Sequence, residues 1–278
     1  MKTYRIASIP GDGIGKEVIA AGIEVLNALA EKENFRIAFT AFDWNSERYL
    51  RTGAYIPAGG LEELKAFDAI FFGAVGAPDV PDHISLWGLR LPICQGFDQY
   101  ANVRPSRVLP GISSKLQGGK EIDWVIIREN SEGEYAGSGG RVHKGLPEEI
   151  ATETSVFTRV GVERIHRFAF ELARNRKRKH LTLVTKSNAQ RHGMVLWDEI
   201  FHEVAKKYPD VQTDRVLVDA MTTRMVLKPE SIDTVVASNL HADILSDLAA
   251  ALSGSLGIAP TANLNPERKF PSMFEPIH

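Results

Sequence analysis

Four short apolar runs, each followed by a polar or charged side chain, constrain the fold of this chain more than any other feature. The runs are residues 124–127 before Arg128, 181–184 before Thr185 and Lys186, 216–218 before Asp219, and 234–237 before Ser238 and Asn239. Runs of this length and composition are typical of buried strands. Helical patterns over residues 160–174 and 197–207 lie between them, so strands and helices alternate and the predicted class is α/β.

The polar residues that follow these runs indicate where a ligand would bind. In open α/β sheets, ligands bind outside the carboxyl ends of the strands. Polar residues often follow strands, so one such residue carries little information, but four of them suggest a common purpose. We therefore expect Arg128, Lys186, Asp219 and Ser238 to converge on one crevice.

The stretch 238–247 reads as the start of a helix with two carboxylates on one face. Ile244 and Leu245 belong to its predicted apolar side, whereas Asp243 and Asp247 are four residues apart and project elsewhere. Carboxylates placed in this way are suitable ligands for Mg²⁺ or Mn²⁺. The alternative is that acids in the first turns simply complement the helix dipole.

The N-terminal segment resembles a phosphate-binding turn without matching a known one. A strand over residues 4–9 leads into a glycine-rich turn over 10–15 and then a helix, which suggests a nucleotide site. The spacing G-x-G-x-G does not fit the Rossmann fingerprint, and Glu17 after Lys16 excludes a Walker loop. The glycines are equally compatible with a tight turn. Residues 67–72 form a further predicted strand, and residues 78–96 are predicted to form a surface binding loop that can include a helical turn.

Composition excludes several classes of protein. The chain has 278 residues, 44% hydrophobic and 24% charged, with a net charge of −2, so no overall field indicates nucleic acid or an anionic membrane as a partner. Cys94 is its one cysteine, which excludes an intrachain disulfide and favours a reducing compartment. No apolar run approaches the length of about 20 residues that a membrane span needs. We expect no signal peptide and a cytoplasmic location, and the ending at residues 274–278 suggests a truncated C-terminal part.

The candidate side chains together define a chemistry. They are Arg104, Arg128, Tyr135, Lys186, Asp219, Asp243 and Asp247. Arginines bind carboxylates bidentately, and a divalent metal chelates a 2-hydroxy acid and polarises it. A lysine can act as the base and a tyrosine can return a proton to carbon. This set suits the oxidation of a 2-hydroxy diacid followed by loss of its β-carboxylate, and the hydride requires a nicotinamide cofactor as acceptor.

Several segments resemble one known family. They are residues 11–15, 102–105, 128–135, 186–188 and 239–247. These segments, in their order along residues 9–278, are similar to the metal-dependent β-decarboxylating dehydrogenases, which include the isocitrate and isopropylmalate enzymes. Residues 80–88 and 97–100 resemble the branch that acts on tartrate and D-malate. That resemblance implies an NAD-dependent dehydrogenase of tartrate or D-malate. The alternatives are isopropylmalate oxidation and a truncated, non-catalytic dimeric fragment.

The resemblance also implies a role for each candidate residue. Arg104, Arg128 and Asn188 would bind the substrate. Tyr135 would donate a proton after decarboxylation, and Lys186, assisted by Asp219, would be the general base. Mg²⁺ or Mn²⁺ would bind to Asp219, Asp243 and Asp247. Family members contact the cofactor at the positions of Ile14, Gly257, Thr261, Glu275 and His278.

The implied architecture is a two-domain fold with a mixed sheet, not a Rossmann fold. Residues 1–98 with 255–278 would form the cofactor-side domain, and residues 99–254 would hold substrate and metal and form the dimer. Lys186 and Asp219 would act across the interface of a homodimer. A monovalent cation is a further candidate cofactor, and the choice of hydroxy diacid and the release of CO₂ stay open.

One departure from the family pattern concerns substrate binding. The family usually has an arginine ten residues before Arg104, and this chain has Cys94 there. The nearest arginine is Arg90, one helical turn earlier. We expect Arg90 to bind a substrate carboxylate in its place, or that carboxylate to be held differently.

Overall fold

The computed structural model describes residues 1–118 and 121–277 and divides into two compact units. The first unit comprises Met1–Gln99 and Pro260–His278, and the second comprises Tyr100–Ala259. The sequence places the domain boundaries at 98/99 and 254/255. The roles predicted for the two domains stay predictions.

The elements follow one another along the chain in an alternating order. The first unit begins with β1 (Thr3–Gly11), α1 (Gly15–Lys32), β2 (Arg36–Ala41), α2 (Ser46–Thr52), α3 (Gly60–Leu64), β3 (Ala69–Ala74), α4 (Asp82–Ser85), a π-helical turn (Leu86–Arg90) and α5 (Leu91–Gly96). The second unit contains β4 (Ala101–Arg107), β5 (Asp123–Glu129), β6 (Gly133–Val142), β7 (Ile150–Val156), α6 (Arg159–Arg174), β8 (His180–Thr185), α7 (Gly193–Ala205), β9 (Gln212–Leu217), α8 (Val218–Leu227), β10 (Thr234–Ala237) and α9 (Asn239–Ser253). Short 3₁₀ turns occupy Pro229–Ser231 and Leu256–Ile258, and β11 (Pro260–Leu264) and β12 (Ser272–Pro276) complete the first unit.

The strands of the first unit run in the order β2-β1-β3-β12-β11. All neighbouring pairs are parallel except β11 and β12, which are antiparallel. The core of this unit includes Ile9, Ile70, Phe72 and Met273 from the strands. Met273 on the last strand therefore packs into the same core as Ile9 on the first, although 264 positions of sequence separate them.

The second unit has the strand order β4-β5-β10-β8-β9 and a separate hairpin of β6 and β7. The β4–β5 pair is antiparallel, and the remaining pairs of this sheet are parallel. Both α6 and α9 pack against β5, and this strand is buried along almost its whole length. The predicted α/β class with mixed sheets is confirmed.

Most predicted elements of the second unit are confirmed, and one is shifted. The runs at 124–127, 181–184 and 234–237 lie in the buried strands β5, β8 and β10. The run at 216–218 was predicted as a buried strand, but β9 is an edge strand with exposed residues and Val218 already begins α8. The helix at 160–174 is confirmed as α6, where the Thr158 hydroxyl accepts a hydrogen bond from Gly161 N at 3.0 Å.

The glycine-rich turn has a packing explanation. Gly11 has a φ of +69°, and Gly15 packs so closely that an added Cβ would lie 2.2 Å from the Pro10 carbonyl oxygen. The Asp12 carboxylate between them accepts hydrogen bonds from Ser46 N at 2.8 Å and Gly76 N at 2.9 Å. The glycines thus allow β1, α1 and β3 to approach one another, which favours the tight-turn interpretation of this segment.

The segment 78–96 was predicted as a surface loop, and this prediction is wrong for residues 82–96. They form continuous helical structure with buried Leu89, Ile93 and Cys94. Gly88 and Pro92 obscured this pattern, because both residues disfavour a helix interior. The helix tolerates them through a π-helical turn, in which Leu91 N donates to the carbonyl of Leu86, five residues back.

Part of the predicted apolar face of α9 points to solvent. Leu245 and Ala249 are fully buried, whereas Ile244, which was placed on the same apolar side, is 53% exposed. Val226 on α8 and Val142 and Ile150 on the hairpin are also exposed. Val142 and Ile150 lie opposite each other in the hairpin, and contiguous exposed apolar surface can mark an interface. Within residues 1–118 and 121–277, no helix is long and apolar enough to cross a bilayer.

His166 on α6 is a fully buried imidazole. Its ring centroid lies 4.3 Å from that of Trp197 and 5.3 Å from that of Phe201, and neither ring nitrogen has a hydrogen-bond partner within the described residues. Burial lowers the pKa of His166 from 6.5 to about 3, and His202 acts in the same direction. The folded state therefore holds this ring neutral.

We predict that His166→Phe makes the folded protein less sensitive to acid. Because the pKa is lower in the folded state, only the unfolded state binds this proton between pH 6.5 and about 3. Stability is therefore lost as the pH falls below 6.5, by about 1.4 kcal/mol per pH unit from this group. Urea unfolding at pH 6.5 and 4.5 should show a loss about 2–3 kcal/mol smaller in the variant. The exposed His192, changed to Phe, is the control, and parallel losses in wild type and His166→Phe would contradict the prediction.

Candidate active site

Strand register brings two arginines of the second unit onto one face. In the antiparallel β4–β5 pair, Asn102 lies opposite Arg128, and Arg104 follows two residues later on the same side as Asn102. Helix α9 packs against both strands. Asp243 on this helix therefore lies within reach of both guanidinium groups.

Both arginines donate to a single carboxylate oxygen. Arg104 Nη1 lies 3.1 Å from Asp243 Oδ1, and Arg128 Nη1 makes a short hydrogen bond to the same oxygen. The side chains of Arg104 and Arg128 are only 6% and 3% exposed, whereas that of Asp243 is 35% exposed. Two nearly desolvated cations thus face one carboxylate, an arrangement that favours binding of further anionic oxygen atoms.

Tyr135 completes this group from β6. Its hydroxyl donates to Asp243 Oδ2 at 3.2 Å, and the Arg128 guanidinium carbon lies 5.1 Å from the centre of its ring. The ring and the cation attract each other electrostatically in this geometry. The structure therefore brings together four of the predicted site residues, namely Arg104, Arg128, Tyr135 and Asp243.

Lys186 and Asp219 form a second group at the ends of β8 and β9. Lys186 Nζ donates to Asp219 Oδ1 at 2.5 Å, and this hydrogen bond lowers the pKa of the Asp219 carboxyl. Asp219 lies in the first turn of α8 and is largely exposed. Asn188 is exposed in the turn that follows Lys186. The contacts of these strand ends fall into two groups, and their convergence on one crevice stays a prediction.

The turn that carries Lys186 is tied to the rest of the unit by a small polar network. The Ser187 hydroxyl donates to Asp198 Oδ2 at 2.7 Å, and Arg215 donates from Nε to the same oxygen at 2.7 Å and from Nη2 to the Ser187 hydroxyl at 2.6 Å. These bonds connect α7, β9 and the turn after β8. Lys186 is therefore presented from a backbone held on both sides.

The predicted metal ligands are only partly assembled within one chain. Asp243 and Asp247 are half-buried on consecutive turns of α9 and offer hard oxygen atoms that suit Mg²⁺ or Mn²⁺. In the part of the chain that the structure describes, no group of three or more His, Cys, Asp or Glu side chains could hold a metal. The donor set fits a divalent cation if Asp219 comes from a second copy, and this stays a prediction.

The predicted cofactor residues of the first unit lie on three elements. Thr261 on β11 is directly opposite Glu275 on β12, so both side chains lie on one face. Ile14 is exposed just before α1. The buried Thr261 hydroxyl and Glu275 carboxyl are polar groups of the kind that fix a nucleotide cofactor. Gly257 is exposed in the second unit, and His278 lies outside the described residues.

Arg90 makes different contacts from those expected of a substrate ligand. Its Nε lies 2.9 Å from Glu275 Oε1 and its Nη2 lies 3.2 Å from Asn263 Oδ1, both within the first unit. The predicted role of Arg90 in binding a substrate carboxylate stays a prediction.

Sequence reasoning missed the polar residues that hold the arginines in place. Arg128 Nε donates to Asn239 Oδ1 at 2.8 Å. Arg104 donates from Nε to Asn102 Oδ1 at 2.8 Å and from Nη1 to the Ser246 hydroxyl at 2.7 Å. Asn102 and Asn239 belong to segments that resemble the family, so their place in the site could have been predicted from the sequence. Each asparagine fixes one guanidinium group before any ligand binds.

Two buried titratable groups next to this site were also missed. Glu129 follows Arg128, and burial raises its pKa to about 7, although hydrogen bonds from Ser131 and the Glu132 amide oppose this. Burial also lowers the pKa of His241, while the nearby charge of Glu134 raises it. Both groups lie in segments that sequence reasoning treated only as parts of longer motifs.

The comparison with known proteins agrees with this arrangement. A family profile described as isocitrate/isopropylmalate dehydrogenase matches residues 5–278. The chain belongs to this family. Family members depend on NAD(P) and a divalent metal.

Individual relatives cover the whole chain. A protein of Agrobacterium vitis named "Probable tartrate dehydrogenase/decarboxylase" is 70% identical over 281 residues, covering 100% of this chain and 78% of the relative. The Escherichia coli D-malate dehydrogenase [decarboxylating] is 54% identical over 282 residues, with coverages of 100% and 78%. The crystal structure of isocitrate dehydrogenase from Methylococcus capsulatus superimposes with a TM-score of 0.87 at 34% identity, covering 99% of this chain and 77% of that one.

We predict that Asp243→Asn destabilises the ligand-free protein. The change removes the negative charge that faces two buried guanidinium groups, and uncompensated buried charge is costly. Because Asp243 is partly exposed, the expected loss is about 1–3 kcal/mol in urea unfolding. Asp219→Asn is the control, since its solvent-exposed pair with Lys186 should contribute much less to stability. Equal effects of the two changes would show that the shared carboxylate is not needed for folding.

Proposed function

We propose that this chain is an NAD- and divalent-metal-dependent dehydrogenase of a small 2-hydroxy diacid, tartrate or D-malate, and that oxidation is followed by loss of the β-carboxylate. The observation that carries the proposal is the pair of buried arginines directed at one carboxylate oxygen. The names of the relatives in Agrobacterium vitis and Escherichia coli support the choice of substrates.

Substrate binding would replace the contacts between Asp243 and the two arginines by contacts between the substrate and the arginines. Arg104 and Arg128 already have fixed orientations, because Asn102 and Asn239 accept from their Nε atoms. A substrate carboxylate would take over the hydrogen bonds that the two Nη1 atoms give to Asp243. Little rearrangement of the arginines is required, which lowers the cost of binding.

Lys186 and Tyr135 would handle the protons of the reaction. Lys186 would accept the proton of the 2-hydroxyl group while the hydride at the same carbon passes to NAD. After CO₂ leaves, the Tyr135 hydroxyl would give a proton to the carbon that carried the carboxylate. Tyr135 is suited to this role because its hydroxyl already donates a hydrogen bond into the arginine-rich group.

A divalent metal ion and a nicotinamide cofactor would complete the chemistry. Asp243, Asp247 and the Asp219 of a second copy would hold Mg²⁺ or Mn²⁺, which polarises the hydroxyl and later the keto oxygen when bound. Ile14, Gly257, Thr261 and Glu275 would contact the cofactor. NAD rather than NADP, a monovalent cation and a cytoplasmic location belong to the same proposal.

The active form would be a homodimer in which Lys186 and Asp219 act on the partner's site. Exposed apolar side chains of the second unit support this, namely Ile244 on α9, Val226 on α8, and Val142 and Ile150 on the hairpin. A surface of this kind is costly to leave in water.

The proposed activity is tested by NADH formation with D-malate, tartrate, isopropylmalate and isocitrate, each with and without Mn²⁺. We expect turnover with D-malate or tartrate that requires Mn²⁺ and falls about 10²-fold or more in Tyr135→Phe. Tyr208→Phe is a control, since its hydroxyl binds Glu171 elsewhere in the same unit. A clear preference for isopropylmalate would replace the proposed substrate. No turnover with any of the four acids would leave a non-catalytic protein.

The proposed dimer is tested by introducing a charge into its surface. Val226→Asp should convert the dimer to a monomer and abolish turnover, because Lys186 and Asp219 would no longer reach a second site. Val25→Asp is the control, since Val25 is 67% exposed on α1 of the other unit. Light scattering after size-exclusion chromatography measures the mass, and a fully active monomer would refute shared sites.

A further inference from the structure

Arg90 is a buried cation whose contacts the proposed reaction does not use. Its side chain is 11% exposed, and that of Glu275 is 4% exposed. Arg90 Nε lies 2.9 Å and Nη2 lies 2.7 Å from the same atom, Glu275 Oε1. Two nitrogen atoms of one guanidinium group therefore hold a single carboxylate oxygen in a largely desolvated environment.

Asn263 gives this oxygen a third donor. Its Nδ2 lies 2.7 Å from Glu275 Oε1, and its Oδ1 accepts from Arg90 Nη2 at 3.2 Å. The three side chains thus form a closed triangle of hydrogen bonds. Among the described residues, every hydrogen bond that the Glu275 side chain accepts goes to Oε1.

The backbone around this triangle is rigid. Asn263 and Glu275 come from the antiparallel pair β11–β12, and β12 also pairs with β3. Arg90 ends the π-helical turn and leads directly into α5. Since strands and helices fix side chains more tightly than loops do, the triangle can define the orientation of the Glu275 carboxyl group.

We infer that Arg90, together with Asn263, is a positioning residue for Glu275, holding Oε1 so that Oε2 is presented to a hydrogen-bond donor of the nicotinamide cofactor. This inference rests on the proposed function, in which Glu275 contacts NAD. It assigns Arg90 to cofactor binding and not to the substrate carboxylate that the missing arginine at position 94 would have held.

Positioning of Glu275 and binding of a substrate carboxylate are roles of Arg90 that would change different affinities. A positioning residue for Glu275 affects NADH binding and the KM for NAD, and leaves the KM for the hydroxy diacid almost unchanged. A residue that binds the substrate carboxylate would instead affect the KM for the hydroxy diacid and leave NADH binding almost unchanged. Direct titration of the protein with NADH, followed by fluorescence, provides a readout that does not depend on turnover.

The test compares Arg90→Met, Arg90→Lys, Glu275→Gln and the double variant Arg90→Met/Glu275→Gln. We expect Arg90→Met to weaken NADH binding and raise the KM for NAD about tenfold, the effect of one charge-assisted hydrogen bond. Arg90→Lys should recover most of this loss. The double variant should bind NADH no more weakly than Glu275→Gln alone, because both changes remove the same interaction.

Arg48→Met is the matched control, because Arg48 is a partly buried arginine of the same unit that pairs with Asp43. It should leave NADH binding unchanged. If Arg90→Met does not fold, Asn263→Ala decides, and it should weaken NADH binding more than it raises the KM for the diacid. A raised KM for the diacid with unchanged NADH affinity, or additive effects in the double variant, would overturn the inference. Wild-type protein that neither binds NADH nor turns over any of the four acids would instead overturn the proposed function.

Discussion

Two guanidinium groups that are almost completely removed from water share one carboxylate oxygen, and the candidate site depends on this contact. Arg104 and Arg128 come from antiparallel neighbouring strands, and Asp243 comes from the helix that packs on them. Burying a cation requires a partner and complete hydrogen bonding. The side chains of Asn102, Asn239 and Ser246 supply further acceptors for the two arginines.

This arrangement keeps a binding surface in place without ligand. Asp243 neutralises part of the positive charge of the two guanidinium groups. In the proposed reaction, an incoming dianion would meet oriented donors in a medium of low dielectric constant, where charge attraction is stronger than in water. The proposed preference for small diacids would then follow from the same forces that allow the arginines to be buried.

The sequence was sufficient to predict whatever depends on short-range pattern or on motifs. The strands at 124–127, 181–184 and 234–237, the helix at 160–174 and the family follow from it.

The sequence was misleading where a contact depends on three-dimensional packing. Ile244 is exposed, and helical periodicity cannot predict this, because the pattern assigns every apolar residue on that face to the core. The contact of Arg90 with Glu275, 185 positions later in the chain, is equally beyond local inference.

The π-helical turn at Leu86–Arg90 has a consequence for the side chains on either side of it. Each residue of an α-helix advances about 100° around the axis, so one extra residue within a turn changes the direction of every side chain on one side of it relative to the other. A single local irregularity can therefore redistribute which positions of a helix face the interior without altering the strands around it. In this chain a cationic side chain reaches a buried carboxylate from position 90 while position 94 carries a thiol in the core. Positions 90 and 94 thus have different surroundings, although both belong to one continuous helical segment.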